Sequence, residues 1–463
     1  MESRNPATGE VVATYTEHTD AEVDAALDRA QERYSAWRER TVQDRCGYLQ
    51  RAADVLRDRV DEYGALMTRE MGKPIDQARA EVEKCAWVCD YYAERADEQL
   101  ADEVIGTAPD AHTLVSYEPL GPVLAVMPWN FPFWQVFRFV APNLAAGNVG
   151  LLKHASNVPG CALAIEEVLR DVGVPEGAFQ TLLVDSGTAN DVIADDRVRA
   201  VTLTGSEPAG RAVAERAGRE LKKTVLELGG SDPFVVLDDA PLPETVEKAV
   251  TARVQNNGQS CIAGKRFVVH TDVHDAFVDR FVDAMAALTV GDPSDEATDV
   301  GPMARPDLMD ELHEQVERSV AAGAGPGLGG GPLDREAAYY PPTVLTDVPA
   351  DAAAACEETF GPVAAVIEVG SEREALAVAN DSDLGLGASV WTSDLDRGQR
   401  FARGFEAGCC FVNEYVKSDP RLPFGGIKDS GYGRELSHHG IHEFVNRKTV
   451  WVDHGLTDGD TAD

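Results

Sequence analysis

Positive charge is what this sequence has least of: 42 lysines and arginines stand against 79 aspartates and glutamates, for a formal net charge of −37. Nucleic acid or an anionic membrane would approach against that field, so neither is expected as a partner. Long apolar runs are missing too. None nears the roughly 18 residues that a membrane-spanning helix needs. The N-terminus is polar from its second residue, without a secretory signal, so the protein is expected in the cytoplasm. Cysteines are few and irregular, 8 in 463 residues, with no Cys-x-x-Cys pair, which excludes a disulfide framework and a structural zinc site. Cys85 and Cys89 at helical spacing, and Cys409 and Cys410 in an apolar strand, read as core packing. His438, His439 and His442 cluster without a carboxylate motif and read as helix surface, so no metal is expected.

The acids that are present lie along helices, not in one tail. A dispersed acidic surface suits a halophilic cytosol, where salt screens the repulsion. The chain is too long for a single core, and two or three domains are expected.

Amphipathic helices are expected over about 20–38, 42–70 and 74–100, the first capped by Thr19 or Asp20. A strand follows at His112–Glu118. The pattern then changes to short apolar runs alternating with helices: Val123–Met127, Val149–Lys153, Phe179–Val184, Ala200–Thr204 and Thr224–Leu228. Buried strands joined by helices imply a parallel sheet with ligands at its carboxyl ends. Asn130, Lys153, Gly205 and Glu227 all sit at such ends. A second series runs through Pro233–Leu237, Arg266–His270, Ala364–Val369, Ala388–Thr392 and Gly408–Asn413. The glycine-rich run Gly323–Gly331 reads as a surface turn, and Phe444–Asp453 as a strand pairing outside the second series. The acidic end Gly455–Asp463 is expected to be disordered.

Between helix and strand in this second series lies Gly258-Gln259-Ser260-Cys261. A lone cysteine is ordinarily a small core hydrophobe. Here polar residues surround it on a turn, where a nucleophile can be held exposed. Leu226-Glu227-Leu228-Gly229-Gly230 offers a carboxylate, and Pro128-Trp129-Asn130-Phe131-Pro132 a side-chain amide. Thr204-Gly205-Ser206-Glu207-Pro208-Ala209-Gly210 opens a helix whose N–H groups would attract a phosphate, although it is not Gly-x-Gly-x-x-Gly. Glu357-Glu358-Thr359-Phe360-Gly361-Pro362 sets a carboxylate beside an aromatic ring.

These motifs, with Pro423-Phe424-Gly425-Gly426, resemble the NAD(P)-dependent aldehyde dehydrogenase superfamily in order and spacing along nearly the whole chain. Glu227–Leu237, Tyr339–Thr343 and Gly433–Ser437 look closest to succinate-semialdehyde dehydrogenases. The resemblance implies Cys261 as nucleophile, Asn130 with the Cys261 N–H as oxyanion donors, and Glu227 as base. It implies Trp129, Asn130, Lys153, Ser156, Gly205, Ser206, Leu228, Glu358 and Phe360 at the cofactor. NAD-preferring relatives often carry a glutamate where this chain has Ser156, so NADP is expected to be at least tolerated. Arg138 corresponds to an arginine that meets the substrate's far carboxylate. A second arginine of some relatives is Gln255 here, with Arg421 or Lys417 as possible substitutes. Ala263 replaces a cysteine that some relatives pair with the nucleophile, which excludes a regulatory disulfide there.

The implied activity is oxidation of an aldehyde, succinate semialdehyde first. Broad specificity, betaine aldehyde or lactaldehyde are the alternatives, and a non-catalytic binding protein on the same fold is the reading from another class. The implied fold is α/β, with two doubly wound parallel-sheet domains, one Rossmann-like for the cofactor and one catalytic, and a small β oligomerisation arm. The expected boundaries are 1–98 and 120–229 for cofactor binding, 230–431 for the catalytic part, and 99–119 with 432–463 for the arm. Such an arm implies a homodimer or homotetramer.

Overall fold

The computed structural model describes residues 1–106, 111–335 and 337–453, so the expectation for Gly455–Asp463 lies outside the described residues. Two sheets dominate. The first has six strands in the order Gly431–Tyr432, Lys223–Glu227, Ala200–Thr204, Pro122–Met127, Val149–His154 and Phe179–Thr181. All neighbours run parallel except the short Gly431–Tyr432, which pairs antiparallel with Glu227 and Leu226. The strands are apolar on both faces because helices cover both, as the buried runs implied.

The second sheet has seven strands: Gly325–Leu328, Thr343–Thr346, Val363–Val369, Gly264–His270, Asp232–Val236, Gly387–Trp391 and Cys409–Val412. It is parallel apart from its first pair. That first strand lies within the glycine-rich run read as a turn. Edge pairing with Thr343–Thr346 overrides its poor strand propensity.

A third, antiparallel sheet joins Val445–Asp453 to Ala111–Pro119 along their full lengths, with Glu103–Val104 beyond. The two segments that were left over from the main series are therefore each other's partners.

The first helix, Asp20–Trp37, opens with a complete capping box between Thr19 and Glu22. The stretch expected as one helix over 42–70 is two, Val42–Asp58 and Val60–Met71, broken at Arg59 with φ −115° and ψ 26°. Apolar periodicity continues across the break, which is why it is invisible in the pattern. Cys85, Cys89 and Cys409 are buried as expected. Cys410 is exposed, because its strand is the edge of the sheet and the face opposite Cys409 is open there. Among the described residues no helix is long and apolar enough to cross a membrane, and no acidic, histidine or cysteine cluster could hold a metal.

Candidate active site

Helix Leu242–Val254 ends in a tight turn, Gln255–Gly258, before Cys261 and the strand Gly264–His270. Asn256 and Asn257 both have positive φ, 55° and 58°, the conformation that asparagine tolerates best among residues with a β-carbon. Gly258 follows at φ +73°, and an added β-carbon there would overlap the Gly361 carbonyl. Only glycine fits. Arg253, fully buried, donates to Gly258 O at 2.7 Å and Val363 O at 3.1 Å. Lys265, also fully buried, donates to Ser260 O at 3.0 Å, Cys261 O at 2.7 Å and Glu358 Oε1 at 3.0 Å. The turn is thus held from both sides by cations on carbonyl oxygens.

Cys261 is partly reached by solvent. Burial of its thiol pushes the pKa up to about 12, against the smaller opposing pull of Lys265 and Arg138. At neutral pH the resting group is a thiol, and its attack requires a base.

Asn130 follows the strand Pro122–Met127. Gln135 Nε2 donates to Asn130 Oδ1 at 3.1 Å, which turns Asn130 Nδ2 towards Gln259 O, also at 3.1 Å. Asn256 Nδ2 bridges Asn130 O at 2.7 Å and Gln259 O at 2.9 Å. One side-chain amide and the cysteine turn are thereby locked together. Asn130 Nδ2 has a second hydrogen for another acceptor.

Glu227 ends its strand with the side chain buried and its Oε1 2.6 Å from where a β-carbon on Gly425 would stand. Burial and the neighbouring Glu435 hold its carboxyl well above the usual carboxylate range, while Arg138 and Arg434 act against that shift. Arg138, on helix Trp134–Ala146, is ion-paired with Glu435, donates from Nη2 to Thr204 Oγ1 at 3.1 Å, and lies 4.9 Å over the Phe424 ring. Two of its three nitrogens are therefore engaged by the protein. Arg138 also faces a cavity of about 840 Å³ whose wall includes Cys261, Gln135, Trp134, Phe424 and Gln255. Lys417 and Arg421 line it as well, whereas Glu227 is not in its wall.

The residues expected at the cofactor gather at the carboxyl ends of the first sheet. Ser206 is the N-cap of helix Glu207–Arg219 and makes no side-chain cap bond, leaving first-turn N–H groups for a ligand. Gly210 in that helix leaves room only for Leu228, whose side chain packs against it. Lys153 is partly buried, and desolvation holds its pKa down. Ser156, two residues past the same strand, is exposed. From the second sheet, Glu358 accepts from Gly230 N at 3.1 Å, and the Phe360 ring meets Trp129 edge-on at 5.8 Å. Those contacts bridge the loops of the two sheets.

A family model described as the aldehyde dehydrogenase family matches residues 1–450. The chain belongs to that family. It is 57% identical over 448 residues to a probable NADP(+) succinate-semialdehyde dehydrogenase of Synechocystis sp., covering 97% of this chain and 98% of that one. It is 55% identical to the NADP(+) succinate-semialdehyde dehydrogenase of Mycolicibacterium paratuberculosis, covering 97% and 96%. Among solved structures, the succinic semialdehyde dehydrogenase of Streptococcus pyogenes in complex with NADP+ superposes with a TM-score of 0.96 at 37% identity, covering 98% and 99%.

In this aldehyde dehydrogenase several residues at the site were given no role by the sequence, although Glu435 lies within the Gly433–Ser437 stretch. Asn256 and Glu435 act through contacts with distant parts of the chain, Lys265 through near and distant ones, and Gln135 on Asn130 five residues before it. All four are buried, and the one signal of this in the sequence is a polar residue inside an apolar helix, as at Gln135.

Proposed function

We propose that the protein oxidises succinate semialdehyde to succinate with NADP or NAD. Glu227 takes the proton of the Cys261 thiol and passes it to solvent, the thiolate adds to the aldehyde carbon, and the carbonyl oxygen becomes an oxyanion. The Cys261 N–H and the second hydrogen of Asn130 Nδ2 receive it, each donor worth roughly 3–4 kcal/mol in the transition state. Oxidation of the resulting thiohemiacetal leaves a thioester on Cys261. Glu227 in its ionised form takes a proton from the water that hydrolyses it, and burial, which raises its carboxyl, makes that ionised form a stronger base. From its resting place against Gly425 the side chain must rotate towards the cavity to do so.

The cofactor site fits a dinucleotide. Uncapped N–H groups at Ser206–Glu207 suit a phosphate, Glu358 suits a ribose diol, and Trp129 with Phe360 offers aromatic surface. Exposed Ser156, three residues after Lys153, brings no carboxylate of its own against a 2′-phosphate. A bound oxidised nicotinamide would supply the hydride acceptor.

The observation that carries this reading is the bonding of the Asn130 amide to the cysteine turn through Gln259 O. Support for the substrate comes from the names of the relatives, which are succinate-semialdehyde dehydrogenases, NADP-dependent. The test is reduced-cofactor formation at high salt with a panel of succinate semialdehyde, butanal, betaine aldehyde and lactaldehyde, each with NAD and NADP. A preference for NAD beyond about a hundredfold would contradict the role of Ser156, a difference of roughly 2.7 kcal/mol. Equal turnover of all four aldehydes would replace the substrate assignment by broad specificity.

The same reading divides the chain at the boundaries expected from the sequence: 1–98 with 120–229 for the cofactor, 230–431 for catalysis, and 99–119 with 432–463 as an arm. The exposed Trp451 and Val452 on that arm support a homodimer or homotetramer. Cytoplasmic residence and adaptation to high salt complete the proposal.

A further inference from the structure

Five cationic side chains stand in the wall of the cavity that holds Cys261: Lys73, Lys84, Arg138, Lys417 and Arg421. Four have carboxylates already. Lys73 pairs with Glu81 and Arg138 with Glu435, both inside the protein, while Lys417 meets Glu414 at 2.8 Å and Arg421 meets Asp419 at 2.6 Å. Lys84 has no ion pair among the described residues. Its Nζ donates to Ser418 Oγ at 2.8 Å and sits 4.4 Å above the Trp134 ring. An ammonium group has three hydrogens, so the Ser418 bond leaves two.

Lys84 reaches this position through helical phase. Gln77, Glu81 and Lys84 on helix Ile75–Gln99 recur at intervals of four and three, one face of the helix, and all line the cavity. An unpaired cation on an apolar ring, at the wall of a half-enclosed cavity, is a receptor for an anion.

We propose that Lys84 is the group that binds the far carboxylate of an acid semialdehyde while its aldehyde carbon faces Cys261. The proposal rests on the functional reading above and deepens it. Arg138 stands in the same wall, with two of its three guanidinium nitrogens held by Glu435 and Thr204, so Lys84 is the cation there without an ion pair among the described residues. In a chain with so large an acidic surplus, an anionic substrate needs one cation that no protein carboxylate has taken.

The same placement makes acid binding depend on pH. Burial, and then the charge of Arg138, bring the Lys84 ammonium down to about 8, against the smaller opposing effects of Cys85, Glu81 and Asp419. Below that pH Lys84 is charged and holds the carboxylate. Above it the charge is lost and acid binding weakens.

The experiment compares wild type with K84Q and K84R on succinate semialdehyde and butanal, and measures competitive inhibition by succinate from pH 6.5 to 9.5. The expected result is that the ratio of kcat/KM on the two aldehydes falls at least about tenfold in K84Q, the order of one lost ion pair in a partly desolvated site, and is largely kept in K84R. Succinate inhibition should weaken through about pH 8 in wild type and should lose that step in K84R. An unchanged ratio in K84Q, with wild type preferring the acid, overturns the role of Lys84 and leaves the functional reading intact. A wild type that neither prefers the acid nor binds succinate overturns both.

Discussion

Gln135 Nε2 donates to Asn130 Oδ1 at 3.1 Å, and this bond decides which end of the Asn130 amide faces the cysteine turn. Without it the amide is free to rotate and present its oxygen, which would repel an oxyanion instead of receiving it. Gln135 is buried and does not itself donate into the turn, so its role is positional.

Gln135→Leu keeps the volume and removes the donor. It is expected to lower kcat by about 10- to 100-fold with KM little changed, less than the roughly 10²–10³ expected for Asn130→Ala. Stopped-flow measurement of the acylation step checks this. Acylation in Q135L at the wild-type rate would show that the cysteine turn orients Asn130 unaided.

Glu227 is costly to bury. Its carboxyl is held well above the usual range, mainly by burial and then by Glu435. A carboxyl whose pKa is raised on folding favours the fold at low pH, where both states are protonated, and that advantage is lost as pH rises through the folded value. Between the unfolded and folded values the fold loses about 1.4 kcal/mol per pH unit. Glu227→Gln has no such titration. It is expected to melt higher than wild type by a margin that widens from pH 5 to pH 8, while steady-state turnover falls by about 10²–10⁴. Thermal unfolding at the two pH values, with turnover measured alongside, separates the effects. A margin that is constant with pH would mean that Glu227 titrates normally.

The catalytic candidates were legible because each rests on local chemistry. Gly258 marks a turn, Glu227 a strand end, and Asn130 the loop after an apolar run. Their partners were not, because contacts such as Lys84 to Ser418 span 334 residues. Lys84 reads in sequence as an ordinary helix-surface lysine, and only the packing of its helix against the Tyr415–Arg421 loop makes it part of a wall. Arg138 shows the opposite case. Its position behind Asn130 was foreseen, but the carboxylate of Glu435, nearly three hundred residues on, had already taken part of its guanidinium. Cys410 failed for another reason: its strand is the edge of the second sheet, with one face open, and an apolar run does not say which strand will be the edge.

The acidic surface carries the last expectation. Arginines on it are shared among several carboxylates: Arg197 meets Asp24, Asp28 and Asp195, and Arg397 meets Asp238, Asp239 and Glu372. These clusters still leave most of the net charge of −37 uncompensated. At 0.1 M salt, repulsion acts over about 10 Å, and at 1 M over about 3 Å, so salt should remove more repulsion than it removes attraction within clusters already in contact. The midpoint of thermal unfolding is expected to rise by more than about 5 °C between 0.1 M and 3 M KCl. Potassium chloride is the salt to use, because sulfate would strengthen apolar burial in any protein. Equal midpoints at the two concentrations would mean that the surplus acids lie too far apart to repel, and that the composition carries no adaptation to salt.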